Sequence, residues 1–150
     1  MIAWLLLSVA AAGASAPVDP MAQTPVADLL AGSYGVVVNR ANPVMSLARK
    51  EVSALFLKRS TRWRDGTPVL PVDGPDSPAR EHFSKEVHGK KTAAVRSFWL
   101  QAIFSGRGVP PPEKPSDQEV IAYVKERPGA IGYVSATSVT DGVRVLTVQP

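Results

Sequence analysis

Apolar positions along this chain alternate between short β-branched runs and wider helical stripes, and the alternation begins near Tyr34. Gly35-Val36-Val37-Val38-Asn39 is a β-branched run closed by turn formers, the pattern of a buried strand. Ser46 then offers an N-cap, with Leu47, Val52, Leu55 and Phe56 on one side of a helix running to about Lys58. Arg62-Trp63-Arg64-Asp65-Gly66 reads as a turn, and Val69-Leu70-Pro71-Val72 as a second strand. Proline cannot donate to a ladder, so Pro71 predicts a sheet edge or a strand end. Ser77-Pro78 is an N-cap followed by proline at the first helical position, opening a helix to about Val87 that stops at His88-Gly89. Thr92 caps the next helix, whose stripe of Val95, Phe98, Trp99, Ala102 and Ile103 is the most regular in the chain. Ser105 to Pro115 is too rich in glycine and proline for regular structure and reads as a loop. Ser116-Asp117-Gln118-Glu119 is a capping box that opens a helix with Val120, Tyr123 and Val124 inward, ending before Pro128-Gly129. Strands at Ala130 to Val134 and Val143 to Val148, joined by a loop around Asp141-Gly142, close the chain. This order predicts an α/β fold: a single three-layer domain with a mostly parallel sheet.

The N-terminal segment adds a compartment to that picture. Met1 to Ala12 is almost uninterrupted apolar sequence, and Ala14-Ser15-Ala16 follows in the A-x-A pattern of a processing site. We read residues 1–16 as a signal peptide too short to span a bilayer, 17–33 as a proline-containing tether, and 34–150 as the folded domain. Cleavage after Ala14 and a buried first helix are the alternatives. The expected location is periplasmic or secreted, with no stable membrane insertion after leader removal. The chain has no cysteine, which excludes disulfides, a thiol nucleophile, Cys-ligated zinc and a lipid anchor on cysteine. Its formal net charge is +4, from basic residues interleaved with acids, which favours anionic partners in general without indicating nucleic acid.

Candidate chemistry is sparse. The Ser77 helix start presents orphan amides and a partial positive charge, and Arg80 in its first turn could add a guanidinium. The plainer reading is a capping serine with a solvated arginine. Arg107, between Gly106 and Gly108, sits on a proline-stiffened loop where a ligand or partner could approach closely, or is a surface arginine in a turn. Asn39, ending a buried strand, lies where α/β sheets bind ligands, or makes turn hydrogen bonds. Trp63, between two arginines, is either a partner patch or a ring packed under its loop. His82 and His88 are six residues apart, off one helical face and without an acidic cluster, so no metal is expected. No nucleophile–base string or phosphate loop is present, so neither an enzyme nor a cofactor is expected.

Four strings in one order resemble a known family. They are Val36-Val37-Val38-Asn39 with Asn42-Pro43-Val44; Leu55-Phe56-Leu57 leading to Trp63-Arg64-Asp65-Gly66-Thr67-Pro68-Val69; Ser77-Pro78-Ala79-Arg80-Glu81-His82-Phe83; and Pro128-Gly129-Ala130-Ile131-Gly132-Tyr133-Val134. Together they resemble one lobe of phosphate ABC-transporter substrate-binding proteins, the type II periplasmic-binding-protein fold. The resemblance implies an oxyanion held by an arginine at a strand end and a Ser-Gly-Thr opening a helix. Those positions fall here on Asp73, Ser77, Pro78 and Ala79, so only the serine is kept, and a repulsive charge replaces an attractive one. Two functions follow as expectations. One is a solute-binding-like protein touching phosphate or another small oxyanion through Ser77, the Ala79 amide and Arg80. The other is a module that kept the fold, lost the ligand and binds an envelope protein through the Arg107 loop, with Trp63 as a second contact.

Overall fold

The Val36-Val37-Val38 run forms the central strand of the sheet. The computed structural model describes residues 33–138 and 140–150; the expected leader and, but for Ser33, the expected tether lie outside them. Strand β1 (Tyr34–Asn39) is followed by β2 (Ser46–Ala48), helix α1 (Arg49–Phe56) and β3 (Leu70–Pro71). Helix α2 (Pro78–Phe83) runs into a π-helical turn (Ser84–His88), then come α3 (Thr92–Phe104) and α4 (Asp117–Glu126). Strands β4 (Ala130–Ser135) and β5 (Val143–Gln149) complete the order.

The sheet has the spatial order β2-β5-β1-β4-β3 and is mixed. β1 runs antiparallel to both β4 and β5, while β2 pairs with β5, and β3 with β4, in parallel. The mostly parallel sheet expected from the element order is thereby corrected. The two C-terminal strands flank the first strand instead of extending the sheet at one edge, and they run against it. Their connection passes along α4, where Ser138 bonds Asp117 near the helix start and Gly142 lies against Lys125 near its end. β3 takes an edge position, where Pro71 lacks no partner.

Successive side chains of β1 point to opposite faces, and each face carries its own core. Val36 and Val38 join Leu47, Val52, Leu55, Phe56 and Phe83 on the α1–α2 side. Val37 joins Val72, Val120, Val124 and Val134 on the α4 side. Fully burying each valine contributes about 1.5 kcal/mol or more, so this double coverage makes the β-branched run the anchor of the domain.

Three local expectations shift. Ser46 does not cap a helix: residues Ser46–Ala48 pair with Thr147, Val148 and Gln149, and the helix starts at Arg49 with Glu51 accepting the Ala48 amide. A free edge on β5 claims those residues before the helix can. Thr92 is the first residue of α3 and not its cap, because its hydroxyl donates to Glu81 at 2.6 Å. The stripe on α3 is only partly inward. Trp99 and Ala102 are buried against Leu57, while Ile103 is 46% exposed, since α3 lies at the margin of the domain and not across the sheet.

The π turn ends at Gly89, in the left-handed conformation at φ 64°. It carries His88 inward, with Nδ1 2.8 Å from Ser53 Oγ and the ring edge-on to Phe83. Burial, helped by the Arg59 charge, lowers the His88 pKa from 6.5 to about 4. The unfolded chain therefore binds a proton that the native state refuses, and the stability His88 allows at neutral pH is lost as pH falls from about 6.5 to about 4. We expect that loss to be on the order of 3 kcal/mol. Urea midpoints of the native chain and H88N between pH 4 and 7 check it: the native chain should show the steeper acid decline.

Candidate functional site

The start of α2 organises the polar groups of the domain. Ser77 is extended (φ −153°, ψ 163°), and its Oγ accepts from the Arg80 amide at 3.3 Å while Pro78 occupies the first helical position. This makes Ser77 the cap that its sequence predicts. Arg80, one turn in, does not reach solvent. It is 7% exposed, with Nη2 3.0 Å from Asp73 Oδ2 and Nη1 bonded to the Gly74 carbonyl at 3.1 Å and Glu113 Oε2 at 3.0 Å. The Tyr133 hydroxyl donates to Asp73 Oδ1, and its ring stacks on Phe83 with centroids 4.0 Å apart. The Asp73 backbone holds the long loop, donating to the Pro112 carbonyl and accepting from the Lys114 amide. That tether brings Glu113 to Arg80.

Burial raises the Asp73 pKa above its ordinary value, with Glu113 adding to the rise, against the lowering effects of Tyr133 and Arg80. Burial works against the Arg80 charge too, but Asp73, Tyr133 and Glu113 outweigh it and hold its pKa above the usual value. Burial and the neighbouring Asp73 carboxylate push the Tyr133 hydroxyl far up, so it stays a neutral donor. The open repulsive charge expected at Asp73 is therefore a compensated one. Its partner is the guanidinium that sequence reasoning leaves free for a ligand.

Beside this cluster lies an open hollow of about 270 Å³, lined by Pro75, Ser77, Pro78, Ala79, Asp117, Gln118, Ser135 and Ser138. Small side chains and hydroxyls make its walls, and Arg80 is not among them. Asp117 is engaged: its Oδ2 accepts from the Ser135 amide at 3.0 Å and from the Ser138 hydroxyl. The hollow can offer hydroxyl contacts to a small polar ligand, with little charge to neutralise an anion.

The remaining sequence candidates stand apart. Asn39 is buried, and its amide donates to the Val124 and Lys125 carbonyls, satisfying the end of α4. Arg107 is exposed on its loop, with Nε donating to Ser105 Oγ at 2.8 Å. Trp63 is packed under its loop, with Nε1 donating to the Gly129 carbonyl at 3.0 Å. Among the described residues, no group of three or more His, Cys, Asp or Glu could hold a metal. No described helix is long and apolar enough to cross a membrane. Tyr133, Glu113 and Asp117 were not singled out by sequence reasoning. Tyr133 hides in an apolar strand and meets Asp73 across 60 positions, and Glu113 carries no local signal; Asp117 sits in a legible capping box.

A mixed sheet covered by helices on both faces, with a hollow where a strand end meets a helix start, has the form of one lobe of a substrate-binding protein. The PBP superfamily domain matches residues 10–146, and the chain belongs to that family. Among solved structures it is similar to a putative phosphate ABC transporter substrate-binding protein with bound phosphate from Clostridium perfringens. That match has 21% identity and a TM-score of 0.61, and covers 77% of this chain and 44% of the other. It is also similar to an ABC-type phosphate transport receptor from Vibrio cholerae, with 21% identity and a TM-score of 0.59 over 77% of this chain and 46% of the other. A possible phosphate binding protein from Planctomyces limnophilus matches at 13% identity and a TM-score of 0.58, over 78% and 41%. The matched region thus spans less than half the length of these proteins. No curated protein matches the chain.

Proposed function

We propose that this chain is an exported, non-enzymatic domain of the phosphate-transporter substrate-binding type that holds a small oxyanion weakly. The observation that carries this reading is the open hollow at the α2 start, where Ser77, Ala79, Ser135 and Ser138 converge. In this reading the contacts are the Ser77 hydroxyl and the Ala79 amide, and Arg80 fixes Asp73 and the helix start without touching the ligand. Weakness follows from the absence of an unopposed cation in the lining and the presence of the Asp117 carboxylate. Phosphate should stabilise the native state by mass action, by about 1.4 kcal/mol at tenfold excess over its dissociation constant. A thermal melt in millimolar to tens of millimolar phosphate, at constant ionic strength, reads this as a rise of a few degrees.

A second reading has its own support: Arg80 is already shared by two carboxylates, which suits a module that kept the fold and gave up the ligand for an envelope protein. No shift with phosphate, sulfate or pyrophosphate, together with co-purification of an envelope protein, would replace the first reading with this one.

A further inference from the structure

The longest unbroken exposed stretch among the described residues is 103–110, where α3 gives way to its loop. Arg107 stands near its middle, between Gly106 and Gly108. The Arg107 amide closes the end of α3 on the Ala102 carbonyl at 2.9 Å. Beyond that bond, among the described residues, the backbone is unpaired until the Pro112 carbonyl accepts from Asp73. The Arg107 side chain makes one hydrogen bond, from Nε to Ser105 Oγ at 2.8 Å, and is otherwise in solvent.

The other basic residues are held differently. The chain has 17 Lys and Arg, and none precedes Arg40. Arg49, Lys50, Arg80, Lys85, Arg96 and Lys125 lie in helical turns and Arg144 in β5, where hydrogen-bonded backbone cannot straighten. Lys114 and Arg127 are each followed by proline, which blocks cleavage at the bond between. The rest sit in pinned turns. Arg40 is in the turn closed by the Asn42 amide on Asn39, and Arg62 and Arg64 flank Trp63, whose amide bonds Thr67. The Lys58, Arg59 and Lys90 amides bond the preceding helical turns, and the Lys91 carbonyl accepts from Ala94 and Val95.

An arginine-selective serine endopeptidase takes its substrate as an extended strand, with the guanidinium in a pocket that ends in a carboxylate. We propose that the Arg107–Gly108 bond is a processing site for an endopeptidase of this class, cut in the native protein and leaving a two-part chain that stays folded. Exposed, unpaired loop tips are where such cuts fall. Gly106 is left-handed at φ 67° and must become extended to enter the cleft, a change that glycine makes at little cost. The protease serine attacks the Arg107 carbonyl carbon, and the bond to the Gly108 nitrogen breaks as that nitrogen takes a proton. Water then releases the acyl group, giving an Arg107 carboxylate and a Gly108 amine. The cut parts β1, β2 and β3 from β4 and β5, yet β1 lies between β4 and β5 with Val37 and Val38 wholly buried. The far end of the loop stays anchored to the Asp73 backbone through Pro112 and Lys114.

Limited digestion of the native protein with trypsin tests this. The first products should be two fragments, one ending at Arg107 and the other beginning at Gly108, identified by intact mass. They should leave a sizing column together, at the position of the uncut chain, and part only in denaturant. R107Q should slow the loss of intact chain about a hundredfold or more, because every other basic site waits on wider opening of the fold. R107K should still be cut at the same bond. Both variants should keep the urea midpoint of the native chain, since the side chain is bonded only to Ser105. A first cut at any other bond, or an R107Q chain digested as fast as the native one, overturns the site. Fragments that separate without denaturant overturn the folded two-part form.

Discussion

Replacing Arg80 by alanine should remove about 3–5 kcal/mol of folding stability at neutral pH, read from the urea midpoint. The size follows from where the side chain lies. The Arg80 side chain is 8% exposed and that of Asp73 is 21%, so neither charge can turn to bulk water when its partner is lost. Truncation leaves the Asp73 carboxylate with the Tyr133 hydroxyl and the Gly74 amide but without a counter-charge. It also strips the Gly74 carbonyl of its donor. Glu113 is half exposed, regains solvent and adds little.

Two further readouts separate an orphaned charge from lost packing. Asp73 already has its native pKa raised, so its ionisation works against the fold: the stability tied to its protonated form is present in acid and lost as pH rises through the native pKa. Removing Arg80 raises that pKa further, so the R80A deficit should shrink as pH falls towards the carboxylate range. D73N in the R80A background should recover most of the loss at neutral pH, because the amide oxygen still accepts from Tyr133 without a charge to strand. An R80A deficit independent of pH and unaffected by D73N would assign the effect to packing.

G129A should cost about 3 kcal/mol, a large effect for one added methyl. A β-carbon at Gly129 would fall inside the carbonyl oxygen of Pro68, with the Pro68 carbonyl carbon at 3.4 Å. The obstacle is backbone, not the end of a side chain that could swing aside, so the chain itself must move. Overpacking of this kind costs about 1–3 kcal/mol. The displaced segment also carries the Gly129 carbonyl, which accepts from Trp63 Nε1 at 3.0 Å and from the Leu70 amide at 2.9 Å. Loosening these bonds adds about 1 kcal/mol each. The expected signature is a lowered melting temperature with a red-shifted tryptophan emission, as Trp63 loses its buried donor site. Unchanged fluorescence would mean that the strain is absorbed elsewhere.

Much of the local structure was legible. The β-branched run at Val36, the Ser77-Pro78 start, the N-cap at Ser116, whose Oγ accepts from the Glu119 amide, and the edge position implied by Pro71 all rest on contacts within a few residues, and all stand in the structure. The likeness to a substrate-binding lobe was legible as well, because its strings carry turn glycines and buried strands whose order follows the fold. The candidate site was less so. Ser77 and Ala79 lie beside an open hollow, but the fate of Arg80 depended on Asp73, Glu113 and Tyr133. Seven to more than fifty positions separate these residues, and no periodicity links them.

The sequence alone determined most of the segments that are helices and strands, since the periods of 2 and 3.6 are properties of a few consecutive residues; Ser46–Ala48, drawn into a strand by the edge of β5, are the exception. The tertiary structure alone decided that β1 would lie between β4 and β5 and run against both, because a strand's direction is set by partners 93 to 110 residues away. It decided, by the same logic, which charges would cancel. A guanidinium one turn into a helix will satisfy whichever carboxylate the folded chain brings within 3 Å, and here that carboxylate is the domain's own.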